Sequence, residues 1–265
     1  MRIWISIGIL ILWAAMALFG PFLPLSPDVI DLPKILHGPS LDVWLGHDDL
    51  GRSILDRLIM GAQTSFIVSL WVVLISIIVG TIIGASSAYF GGWLDLIVVR
   101  IIDVFLAVPG ILLAIALAGV MGPGIENVVI ALSIVGWVGY ARLSRAQVMA
   151  LKHRDHVVAA TALGTAPQTI IRRHLIPLIA APLIVEATFG IAGVVIAEAS
   201  LSFLGLGVQP PEASWGSMIR DGTRYMLVAP HMVIAPGIAM MLVVLSVNLF
   251  GDWLRDRLDV RTRQR

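Results

Sequence analysis

Few side chains in this sequence are placed to make or break a covalent bond. His153 and His156 lie three residues apart, which would put two imidazoles on one helix face. Their neighbours are Lys152, Arg154 and Asp155, without the carboxylate and histidine pattern of a zincin site, so a solvated basic face is expected rather than a metal. A phosphate-cradling Gly-x-x-x-x-Gly-Lys-Ser/Thr run is missing: the two lysines are Lys34 and Lys152, and neither follows a glycine. The chain therefore hydrolyses no ATP by that route. No Gly-x-Ser-x-Gly elbow offers a nucleophile, and the absence of cysteine removes thiol catalysis, disulfides and thiolate-held metal. What remains is a handful of charges inside apolar stretches: Arg100, Asp103, Glu186 and Glu198. Each costs about 2.5–3.5 kcal/mol at the centre of a membrane helix, so it faces protein or water. Arg100 and Asp103 are three apart and read as a local ion pair. Glu186 and Glu198 are twelve apart, about 120° out of phase on a helix, so they do not form one site. Each is a candidate for the wall of a solute path, and a partly hydrated helix-end residue is the plainer reading of both.

The elements that position these groups follow from composition. Of 265 residues, 58% are hydrophobic and 13% charged, against roughly 25% charged in a soluble domain. This is the signature of an all-α membrane protein. A hydrocarbon layer of about 30 Å needs about 20 helical residues, so six spans take roughly 120 positions and leave no room for a large soluble domain. Six apolar stretches are long enough: about 3–19, a second running between Arg57 and Asp95, then 96–120, 126–140, 176–199 and 231–250. The first lacks a small-residue cleavage site and reads as a retained anchor. With the N-terminus inside, 13 of 18 Lys and Arg fall on the cytoplasmic side, which places both termini in the cytoplasm.

Small residues at helical spacing, Gly80-x-x-x-Gly84-x-x-x-Ala88 in the second span and Gly190, Gly193 and Ala197 in the fifth, mark close helix contacts, within the chain or with a second membrane subunit. Pro109, Pro177, Pro182 and Pro236 each remove a backbone donor inside or at the start of a span. Two outer segments (about 21–62 and 201–229) and one inner segment (about 142–174) connect the spans. In the inner segment, 155–163 favours a short helix ended by Gly164, and Thr165-Ala166-Pro167-Gln168 has the form of a capping box opening a second helix. Apolar Val157, Val158, Ala159, Ala160, Ala162 and Leu163 require burial, against this chain or against a docked protein.

At this loop the sequence resembles the permeases of binding-protein-dependent ABC importers. Their loop reads Glu-Ala-Ala, three residues, Gly, nine residues, then Ile-x-Leu-Pro. Ala159, Ala160, Gly164 and Pro177 match at that spacing, with Ile176 in place of Leu, Val158 in place of Glu and His174 in place of Ile. The segments from Trp44 to Arg52, from Ala197 to Pro211 with Ser214-Trp215-Gly216, and from Asn248 to Asp256 resemble the second permease subunit of the dipeptide, oligopeptide and nickel branch. The similarity covers about 42–260.

The resemblance implies a type I ABC importer permease fold: an N-terminal anchor and outer loop (1–61), a five-helix transmembrane domain (62–253) and a basic tail (254–265). It implies a heterodimer with a second homologous permease, two ATP-binding subunits that hold ATP and Mg, an extracytoplasmic solute-binding protein, membrane lipid as surroundings, and neither a cofactor on this chain nor a nucleic acid. Asp155, Val158, Ala159, Ala160, Leu163, Gly164, Thr165 and Pro167 would form the ATPase-coupling loop. Trp44, Asp49, Arg52 and Trp215 would face the binding protein. Short peptides are the implied solute, with nickel or another small solute as the alternative, and a self-sufficient secondary transporter as the remote one.

Overall fold

A computed structural model describes residues 2–41 and 43–258; residues 259–265, most of the expected basic tail, lie outside the described residues. The elements are α1 (Arg2–Phe19), α2 (Ile54–Phe90), α3 (Gly92–Ala107), α4 (Gly110–Met121), α5 (Ile125–Leu151), α6 (Asp155–Ala162), α7 (Pro167–Thr169), α8 (Ile176–Phe203), α9 (Trp215–Thr223) and α10 (His231–Leu258). Among the described residues the β structure is a single antiparallel bridge between His47 and Ser53. Five helical segments are long and apolar enough to cross a membrane, and the α3–α4 pair is so when its two helices are taken together.

In that pair the third span, with Pro109 inside it, is divided into two helices. The axes of α3 and α4 meet at 87°. Pro109 is the cause: it has no N–H to donate and its ring forces the preceding residue out of helical geometry, and Val108 is extended at φ −110°, ψ 134°. The bent pair nevertheless traverses the bundle. At its start Asp95 pairs with Arg145 of α5 at 2.6 Å, and just past its end the Gly124 N–H donates to Leu206 O at 3.1 Å. Arg145 and Ile125 are 20 residues apart on α5, about 30 Å, one hydrocarbon thickness.

The fourth span also exceeds its expected 126–140. It continues to Leu151, carrying Arg145 and Lys152 to the inner ends of its neighbours. Arg145 grips Asp95 through Nε and Nη2 at 2.6 and 2.7 Å, Ser87 Oγ donates to the same carboxylate at 3.1 Å, and Lys152 Nζ donates to Ala88 O at 2.9 Å. The inner ends of α2, α3 and α5 are thereby tied.

The small-residue run in α2 packs against α5 of the same chain. A Cβ on Gly84 would strike Ala141 O and Ser144 Oγ, and one on Gly80 would strike Trp137 O. Ser144 Oγ in turn donates to Gly80 O at 3.3 Å. In α8 the expected stripe divides: Gly190 lies against Tyr140 Oη of α5, whereas Gly193 borders open space. Overpacking such a contact costs about 1–3 kcal/mol or more. Gly84→Leu is therefore expected to lower the melting temperature of the detergent-purified chain markedly, whereas Gly119→Leu, at a site with nothing within 4 Å, leaves it unchanged. Equal melting temperatures would refute the α2–α5 contact.

Candidate functional site

At the inner end, α6 presents two faces of different fate. Val157 and Ala160 are buried with Val148, Ile170, Leu175 and Ile179. Val158 and Leu163 point away at 51% and 86% exposure, and Ala159 and Ala162 are exposed beside them. The chain thus covers two of the six apolar residues that the sequence said must be covered, and leaves a strip of the other four bare. Asp155 is exposed in the first turn, where its charge suits the positive end of the helix dipole.

Gly164 terminates α6 at φ +78°. Its N–H donates to Thr161 O at 3.0 Å and the Thr165 N–H donates to Ala160 O at 3.1 Å, the paired bonds of a Schellman motif. With the Thr165 N–H committed there, the expected capping box does not form: Ala166 occupies the cap position with no side-chain bond, and Pro167 opens α7. Nor is α7 a separate helix, because it runs through a π-helical turn (Ile170–Leu175) into α8. The inner element is one short helix, a glycine turn, and the foot of a membrane span.

Of the four residues expected to face outward, Trp44 is exposed, Asp49 is half-buried, and Arg52 and Trp215 are buried. Burial has a structural reason in each case. Asp48 Oδ1 accepts the N–H groups of Leu50 and Arg52, both at 2.9 Å, while Oδ2 takes Arg52 Nε at 2.7 Å. The run from Gly46 to Arg52 is thus a turn closed on its own charges; Gly51, at φ +74°, admits no Cβ because Asp31 O fills that space. Trp215 opens α9, donates from Nε1 to Leu58 O at 3.0 Å and packs on Gly61, while Gly216 lies on the backbone of Ala199. Ser214 and Ser217 cap α9 reciprocally.

Sequence reasoning missed Arg57. Its guanidinium lies 3.6 Å from Asp48, 3.5 Å from Asp28, 3.4 Å from Pro27 O and 3.3 Å from Pro211 O, joining both outer segments to the start of α2. Beside it, burial and the nearby Lys34 hold the His47 imidazole below its ordinary range, and burial with Asp48 raises the Asp49 carboxyl.

The charges inside the spans separate as well. Glu198 is 1% exposed. Its carboxylate accepts from Ser65 Oγ of α2 at 3.0 Å and Ser202 Oγ at 2.7 Å, so in this conformation it faces α2, away from open space. Glu186 is exposed on α8 opposite Gly139 of α5. Arg100 and Asp103 form the expected local pair at 3.7 Å on an exposed face of α3.

Comparison with known proteins agrees with this architecture. The family model for the binding-protein-dependent transport system inner membrane component matches residues 76–264. The dipeptide transport system permease protein DppC of Alkalihalophilus pseudofirmus is 40% identical over 260 residues, covering 97% of this chain and 86% of that protein. The glutathione transport system permease proteins GsiD of Pectobacterium atrosepticum and Escherichia coli O157:H7 are each 41% identical over 238 residues, covering 90% of this chain and 79% and 78% of theirs. Among solved structures, the MetNI methionine ABC transporter in inward-facing conformations superimposes with a TM-score of 0.60, covering 76% of this chain and 95% of that one at 18% identity, a likeness of fold. The chain belongs to the binding-protein-dependent inner membrane component family: it is a multi-pass inner-membrane permease of an ABC importer in the peptide and glutathione branch, a transport subunit whose relatives are not enzymes.

Proposed function

We propose that this permease admits short peptides, glutathione among them, by alternating access, as one half of a heterodimer with a second homologous permease. Two ATP-binding subunits supply the energy with ATP and Mg, and a solute-binding protein delivers the cargo on the outer side, with both termini of this chain in the cytoplasm. The observation that carries this reading is α6: a short helix held to the foot of α8 by one apolar face, ended by a rigid glycine turn, and bare on the other face at Val158, Ala159, Ala162 and Leu163. A partner that closes on ATP and grips this strip would move α8 with it, and α8 carries both intramembrane glutamates. Differential binding of ATP to two states then biases the access of the path.

The test is uptake by proteoliposomes holding the copurified assembly. Labelled dipeptide or glutathione should accumulate only with ATP, Mg and binding protein together. Accumulation of nickel but of neither organic solute would refute the peptide reading, and uptake without the ATPases would refute the coupling.

A further inference from the structure

Glu186 is an ionisable group inside a membrane span, level with Gly139 of α5 and so about 9 Å outward of Arg145. On α8 it lies thirteen residues beyond Arg173 and twelve before Glu198, about 18–20 Å from either charge. On α5 the residue opposite, Gly139, falls in the uncharged run between Glu126 and Arg142. A Cβ placed on Gly139 would lie 3.9 Å from Glu186 Oε1 and meet nothing else within 4 Å. Both residues are exposed, and among the described residues no hydrogen bond or ion pair engages the Glu186 carboxylate.

The surroundings favour water over lipid. Along the same side of α8, Gly193 stands two turns above Glu186 with open space before it, and on α5 Arg142 is exposed one turn below Gly139. Gly139, Arg142, Glu186 and Gly193 are exposed along this side of α5 and α8, whereas the exposed faces of α1 and α10 carry Ile5, Leu12, Ile238 and Leu245. A bare carboxylate at this depth is tolerated where it meets a water-filled cavity or a cationic partner.

We infer that the crevice between α5 and α8 opens onto the solute passage and that Glu186, in its wall beside Gly139, receives the protonated amino group of the passing peptide. The second half of this assignment rests on the peptide reading above. A dipeptide and glutathione both carry a primary ammonium, which an unpaired carboxylate recognises by charge and by up to two acceptor oxygens.

The chain has no cysteine, which permits a direct test. Gly139→Cys, in the full transporter with partner subunits stripped of reactive cysteines, is treated in nanodiscs with membrane-impermeant cationic and anionic methanethiosulfonates. Cys at 139 should react, with the cationic reagent favoured, and adding Glu186→Gln should lower the cation-to-anion rate ratio at least fivefold. Glu186→Asp should retain the ratio, and Leu245→Cys, on the exposed apolar face of α10, should not react. Trialanine should slow modification at least threefold, N-acetyltrialanine should not, and Glu186→Gln should abolish the difference. An unreactive thiol, a ratio indifferent to Glu186, or equal protection by both peptides would overturn the inference. A charge-dependent ratio in a transporter that imports neither dipeptide nor glutathione would instead refute the peptide reading while upholding the passage.

Discussion

Replacing Gly164 with valine is expected to lower ATP-driven uptake at least tenfold while membrane insertion and thermal stability stay near wild type. Gly164 holds φ +78°, a region that costs an L-residue roughly 1–2 kcal/mol and a β-branched one more. The strain cannot be relieved without breaking the bonds from Gly164 N–H to Thr161 O and from Thr165 N–H to Ala160 O, so valine reopens the turn and reorients α6 against α8. Nothing lies within 4 Å of a Cβ at this position, so the added side chain disturbs no core and the bundle keeps its stability. Gly164→Asn separates conformation from bulk, because asparagine tolerates the left-handed region; it should retain uptake within about threefold. Equal uptake by the valine variant and wild type would show that the turn does not transmit force, and equal loss with asparagine would show that glycine is needed for contact with a partner instead of for conformation.

The helices were legible in the sequence because the membrane imposes a single strong rule, and each of the segments 54–90, 167–203 and 231–258 contains a stretch apolar and long enough to satisfy it. Gly164 was legible as well, since a lone glycine after an alanine-rich helix has one common use. Two kinds of feature were not. The first is the competition for backbone donors: Thr165-Ala166-Pro167-Gln168 satisfies the pattern of a capping box, but the Thr165 N–H is already bound to Ala160 O, and no pattern in four residues reveals a bond made five residues back. The second is long-range pairing. Asp48 and Arg52 could be matched by their i,i+4 spacing, whereas Arg57 meets Pro211 across 154 positions and Asp95 meets Arg145 across 50. The outer motifs were therefore recognisable as motifs while their internal bonds were not: Arg52 and Trp215 are buried, tying the outer segments to the bundle, and Trp44 is the exposed member of the four.

That fastening gives the second large effect. Arg57→Ala is expected to destabilise the chain by about 1–3 kcal/mol, the usual consequence of leaving buried polar partners unsatisfied. The reason lies in what stays behind. Asp48, 6% exposed, keeps Arg52 but loses its second cation, and the carbonyls of Pro27 and Pro211 lose a common donor, so the outer segments before α2 and before α9 are released together. Asp28, by contrast, has a side chain 49% exposed, and water replaces its share of the pair; Asp28→Ala should cost under about 1 kcal/mol. Thermal unfolding in detergent separates the two, and limited proteolysis locates the damage: in Arg57→Ala, cleavage should appear within 21–53 and 204–214 at temperatures where wild type resists. Arg57→Lys retains the charge but cannot spread it over two carboxylates and two carbonyls, so it should fall between alanine and wild type. A lysine variant as stable as wild type would mean that charge alone matters at this point; an alanine variant as stable as Asp28→Ala would mean that Arg57 fastens neither outer segment.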